Sequence, residues 1–203
     1  MRRRTEPQGL TLAERKRQLV RDELGDAALR LLAVRGFEET TVDQLAAAAG
    51  VSRRTFFRYF ASKEDVVISF LSLLGDEIVA EVEARPAAEP PAVAIREAVK
   101  AVAAEHFVDN REKAVALIRH TLEIPALRAR FAERQDLLRD DVAEALARRL
   151  DLPGPTPRLQ FTAGLGLLAF AGALKHWAEG GGLENPVLIL DASFDEAGKA
   201  FVL

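Results

Sequence analysis

The sequence predicts an all-α fold of about nine helices, and three observations carry that prediction. Apolar residues recur at intervals of three and four along most of the chain, and no stretch alternates as a half-buried strand would. Helix starts are marked by Thr, Ser or Pro, and helix ends by Gly. Within the helical pattern, residues 85–91, RPAAEPP, form an interruption, because three prolines remove donors and fix φ.

Taken in order, Thr11 and Glu14 form a capping box that starts the first helix at Leu12. Val20, Leu24, Ala27, Ala28 and Leu31 mark its apolar face, and Gly36 ends it. Thr41 and Gln44 form a second capping box, followed by one apolar stripe of Val42, Leu45 and Ala46. Gly50 ends that helix as a left-handed residue without a Cβ penalty. Ser52 caps the third helix, which begins Arg53, Arg54, Thr55. Phe56 and Phe60, four apart, turn into a small core with Leu31, Phe37 and Val42, while Arg53, Arg54, Phe57 and Arg58 fall on the other side. Ser62 caps a fourth helix whose Val67, Phe70, Leu71, Leu74, Ile78 and Val82 run along one side to Ala84, roughly 34 Å at 1.5 Å per residue. Further helical patterns span about 92–108, 111–123, 125–150, 157–179 and 186–202. Asp109 with Glu112, Pro125 and Pro157 mark starts, and Gly180, Gly181 and Gly182 a stop.

At 203 residues and 49% apolar content the chain can bury a substantial core. No run of 18 uncharged apolar residues indicates a membrane span, and the start lacks the apolar core of a secretory signal. The absence of cysteine excludes disulfides and thiolate metal sites and is compatible with the cytoplasm expected for this chain. Residues 1–63 hold 13 Lys/Arg against 8 Asp/Glu, a net of +5; the whole chain is −3, so residues 64–203 carry −8. A basic end on an acidic body fits nucleic acid held at one end only, with Arg2, Arg3 and Arg4 in a disordered arm over 1–10 that brushes phosphate or is merely solvated.

The pattern of residues 41–63 is a helix-turn-helix corner. Its second helix has an exposed basic first turn that suits the major groove, where free N–H groups favour phosphate and arginine pairs with guanine. The competing reading is the same corner with a solvated basic face. Residues 24–70 go further: the run before Arg35-Gly36-Phe37, then Thr40-Thr41-Val42, Ala48-Ala49-Gly50-Val51-Ser52, Phe60 and Ser62-Lys63-Glu64 together resemble the DNA-binding domain of the TetR family of bacterial transcriptional regulators. That resemblance implies a DNA-binding domain over 1–62 and a ligand-binding and dimerisation domain over 63–203, with the long helix before residues 85–91 belonging to both sides. It also implies a repressor that binds a near-palindromic operator in double-stranded DNA as a homodimer. The DNA-contacting candidates are Thr41, Ser52, Arg53, Arg54, Thr55, Phe57, Arg58, Tyr59 and Lys63. Phe57 stands where the family usually has tyrosine, so it has no hydroxyl to offer a phosphate and reaches a thymine methyl or only packs.

Helix 157–179 is apolar nearly all round, which requires burial on most sides. The last helix spaces Val187, Leu190, Phe194, Ala197 and Phe201 by 3, 4, 3 and 4, a seam for another helix. The dimer that the resemblance implies covers both, with Phe161, Leu165, Leu168, Gly172, Val187, Leu190, Phe194 and Phe201 at the interface; a buried central helix in a monomer is the alternative. By position in the family, Phe107, Leu117, His120, Thr121, Phe131, Phe170 and Trp177 are candidates for an apolar effector pocket, although residues of these types at such positions are more often core than ligand contacts. The run SRRTFFRYFASKEDVV, with Trp177 and Gly180 to Gly182, is also similar to an actinobacterial branch that includes the mycofactocin regulators, which implies an acyl-CoA-like, hydrophobic effector. His106, His120 and His176 make no metal-ligand spacing, and no HExxH, GxSxG, GxGxxG or P-loop pattern occurs, so neither cofactor nor metal is expected and an enzyme reading has no constellation behind it. An architectural DNA-binding protein with a fully packed body and no effector is the other alternative.

Overall fold

A computed structural model describes residues 11–199, and every regular element among them is an α-helix. In order these are α1 (Leu12–Arg35), α2 (Val42–Ala48), α3 (Arg53–Tyr59), α4 (Lys63–Ala84), α5 (Pro91–Phe107), α6 (Arg111–Glu123), α7 (Pro125–Arg149), α8 (Pro157–Glu179) and α9 (Pro186–Lys199). The arm with Arg2, Arg3 and Arg4 and the interface candidate Phe201 lie outside the described residues. No described helix is long and apolar enough to cross a membrane.

The chain divides into two compact units between Val66 and Val67, so the break falls just inside α4 rather than before it. In the first unit, Thr11 and Thr41 each close a capping box with Glu14 and Gln44, and Ser52 accepts the Thr55 N–H at 3.1 Å. Gly50 takes φ +68, and the Val51 N–H then reaches the Ala46 carbonyl at 2.9 Å, which closes the turn between α2 and α3. The core is Leu24, Ala28, Leu29, Leu32, Phe37, Leu45, Ala46, Phe56, Phe60 and Val66. The α1 stripe therefore runs through Leu24, Ala28 and Leu32 with Leu29 beside it; Leu31, expected inside, is only half-buried because it stands 100° round from Leu32. Phe56 and Phe60 pack at 5.4 Å between ring centroids. Each fully buried ring contributes about 1.5–3 kcal/mol, a large share of what so small a unit has.

In the second unit α8 packs against α5, α6, α7 and α9. Gly166 lets it approach α5: a Cβ there would stand 2.7 Å from Ile95 Cγ2. Trp177 stacks on Phe107 at 5.9 Å and donates its indole N–H to the Glu184 carbonyl at 2.9 Å. α5 is tied to α9 by Arg96, which meets Asp191 and Asp195, and by Lys100 on Asp191 at 3.0 Å. Two sequence expectations are corrected. α6 starts after Asn110 with no side-chain cap, so Asp109 does not cap it. Leu190 is fully buried against the chain's own core, and Phe194 packs there too, so these two positions of the α9 seam are covered within one chain. The outward apolar residue of α9 is Leu188, 200° round the helix from Leu190 and 66% exposed.

Candidate DNA interface and effector cavity

The basic face of the first unit is built on α3. Burial of Phe56 and Phe60 fixes the rotation of the helix, and that rotation leaves Arg53, Arg54, Phe57 and Arg58 exposed, with Thr55 and Tyr59 half-buried at its edges. Two of the arginines are held in place by neighbours. Arg53 donates from Nη1 to both Asp43 carboxylate oxygens, at 3.1 and 3.2 Å, and its guanidinium lies 5.5 Å from the Phe57 ring. Arg58 lies over the Tyr59 ring at 5.1 Å. The hydroxyls of Ser52 and Thr55 contact each other at 3.0 Å. Lys63, at the start of α4, donates to the Phe37 carbonyl at 2.9 Å and sits 4.3 Å over the Phe37 ring. Thr41 is exposed, and its hydroxyl accepts the Gln44 N–H. The sequence reading did not single out Asp43; a carboxylate ten residues before an arginine becomes its partner only once the turn at Gly50 folds the two helices together.

The second unit holds a partly open apolar cavity bounded by α4, α5, α6, α7 and α8. Five of the seven expected pocket residues line it: Phe107, Leu117, Thr121, Phe131 and Phe170. His120 and Trp177 do not line it. His120 is turned 100° along α6 from Thr121, and the Trp177 ring is occupied by Phe107 and the Glu184 carbonyl. The sequence reading missed the α4 wall of Leu71, Leu74, Gly75 and Ile78, and missed Gln135 on α7. The available signal was Gly75, a glycine in the middle of a long amphipathic helix, where a Cβ would stand 3.2 Å from Leu138 Cδ1.

Beside that wall α4 carries two ion contacts. Asp76 meets Arg134 of α7 at 3.0 Å, and Glu77 meets His106 Nε2 of α5 at 2.5 Å. The hydrogen bond to Glu77 raises the His106 pKa above its ordinary value, against burial, which lowers it. Burial raises the Asp76 pKa, with Arg134 opposing.

Of the expected interface residues on α8, Phe161 is 73% and Leu168 69% exposed, Leu165 is also exposed, and Gly172 has nothing within 4 Å of where its Cβ would be. These form one open apolar stripe, so α8 is not buried all round within a single chain. On α9, Val187 is half-buried.

Residues 24–70 match the family described as "Bacterial regulatory proteins, tetR family", and residues 89–201 match the MftR C-terminal domain of the same family. The chain belongs to the TetR family. Like other TetR regulators it is a DNA-binding transcriptional regulator, with an N-terminal helix-turn-helix domain and a C-terminal helical domain. It is 36% identical over 151 residues to the HTH-type transcriptional regulator TcmR of Streptomyces glaucescens, which covers 72% of this chain and 67% of TcmR. Among solved TetR structures, FadR of Thermus thermophilus in complex with lauroyl-CoA superposes with a TM-score of 0.58 at 24% identity, covering 90% of this chain and 95% of that one. FadR of Bacillus subtilis in complex with stearoyl-CoA gives 0.57 at 17% identity, with 87% and 96% covered. At these identities the likeness is one of TetR fold.

Proposed function

We propose that this protein is a cytoplasmic repressor that binds a near-palindromic operator as a homodimer and is released by an apolar or amphipathic small molecule in the α4–α8 cavity. The cavity carries this reading. It is apolar, carries only two polar side chains, and takes one wall from α4, the helix whose first residue, Lys63, belongs to the DNA-binding unit. A ligand that binds differently to two positions of α4 shifts operator affinity by no more than that difference, typically about 1–3 kcal/mol. The open stripe of Phe161, Leu165, Leu168 and Gly172 supports the dimer, since two such stripes cover each other in an isologous helical contact. Acyl-CoAs are the first effectors to try, because two proteins of the same fold are solved with them. The DNA contacts are assigned to Thr41, Ser52, Arg53, Arg54, Thr55, Phe57, Arg58, Tyr59 and Lys63.

The test is operator selection followed by footprinting and sizing of the complex. The expected result is two protected half-sites about 34–36 Å apart or slightly more, held by two chains. A single half-site held by one chain overturns the dimeric reading, and a complex that no acyl-CoA or hydrophobic compound dissociates overturns the effector reading.

A further inference from the structure

The cavity walls narrow the effector further than apolarity does. Among the described residues that line it, none is charged, and only Thr121 and Gln135 carry polar side chains. Thr121 is buried and spends its hydroxyl proton on the Leu117 carbonyl at 2.8 Å, so it can only accept. The half-buried Gln135 carries an amide with two N–H donors and one carbonyl acceptor on the wall, and it stands one turn from Phe131 and three residues from Leu138 on the cavity-lining side of α7. A carboxylate or phosphate inside these walls would lose its hydration, and the nearest cation, Arg134 behind Gly75, is already paired with Asp76 and Asp141. An uncharged group with one acceptor can be matched by an amide donor. We propose that the cavity takes an uncharged apolar group whose single carbonyl accepts a hydrogen bond from Gln135, and that Gln135 is the residue that tells such a group from a plain hydrocarbon or a carboxylate. The carbonyl comes either from a free ketone or ester or from the thioester of an acyl-CoA whose phosphates stay outside the walls. This rests on the proposed effector site.

Calorimetry on the full chain without DNA tests it, with butylbenzene, butyrophenone and 4-butylbenzoate as probes of one size and decanoyl-CoA as the thioester probe. Butyrophenone is expected to bind about tenfold more tightly than butylbenzene. 4-Butylbenzoate at pH 7 is expected to bind about a hundredfold or more weakly than butyrophenone. Gln135→Leu is expected to bring butyrophenone down to butylbenzene and to leave butylbenzene unchanged, which also reports that the variant is folded. Decanoyl-CoA binding that falls with Gln135→Leu identifies the thioester as a source of the carbonyl; no decanoyl-CoA binding while butyrophenone binds identifies a free neutral molecule. The proposal is overturned if the carboxylate binds as well as the ketone, if Gln135→Leu leaves the preference for the ketone intact, or if none of the probes binds. Should the ketone bind as expected while operator affinity stays constant, the ligand class stands and the sensor reading fails.

Discussion

The two units of this protein place their polar groups in opposite ways. The first buries a few rings, Phe37, Phe56 and Phe60, and by doing so pushes Arg53, Arg54 and Arg58 into water on one short helix. The second turns its charges outward into helix-to-helix pairs such as Arg96–Asp191 and Arg134–Asp76, and leaves an uncharged hollow within. The first presents its charge on a surface, and the second keeps its charge away from an apolar hollow. An exposed cationic face suits a surface reader, and an apolar pocket between helices suits a container.

Salt separates the two most widely. A dimer engaging six or more phosphates loses about 10³-fold or more in operator affinity between 50 and 200 mM salt. Ligand affinity, measured by calorimetry in the same buffers, is expected to change by less than about twofold. Equal salt slopes would erase the contrast.

Core truncation comes next. Phe56→Ala is expected to destabilise the first unit by about 3–5 kcal/mol, because Phe56 is completely buried and little surrounds it that can collapse. Phe131→Ala, on a wall already facing empty space and only half-buried, is expected to cost less than half as much. Hydrogen exchange in each unit reads both, and equal costs would mean that the cavity wall is packed as tightly as the reader's core.

Within the reader, Arg54→Ala is expected to cost about 1–3 kcal/mol and to relax one base pair of the operator if it pairs with guanine. Lys63→Ala is expected to weaken all sequences alike and to remove about 0.5–1.5 kcal/mol of stability with the bond to the Phe37 carbonyl. A selection experiment in which both variants keep the parent preference would displace α3 from the groove.

The smallest expected effect is in the body. Glu77, and less strongly Glu105, hold His106 protonated above its ordinary pKa, with burial and Lys113 opposing. A raised folded-state pKa gives stability that is fully present below the unfolded value of about 6.5 and is lost as pH rises through the folded value. Urea unfolding of the second unit between pH 5.5 and 8.5 is expected to show this decline, and His106→Gln to flatten it.

The reader was more legible in the sequence than the container, for a physical reason. Capping boxes at Thr11 and Thr41, the left-handed Gly50 and the i, i+4 pair of Phe56 and Phe60 all act within one or two turns of chain, so spacing alone reveals them. The cavity gathers residues from Leu71 to Leu174 across five helices, and no local period marks it. Position in the family places both His120 and Thr121 at a pocket, yet one step along a helix turns a side chain by 100°, and only Thr121 lines this one. Leu190 looked like an interface residue because a heptad seam reads the same whether its partner helix lies in the same chain or another.

Reciprocal linkage tests the sensor role most directly. Ligand affinity is measured with the free protein and again with the protein saturated by operator, and operator affinity with the cavity empty and filled. The expected result is the same factor in both pairs, about 5–150-fold, with ligand and operator opposing each other. A cavity that fills to saturation while operator affinity does not move would contradict it.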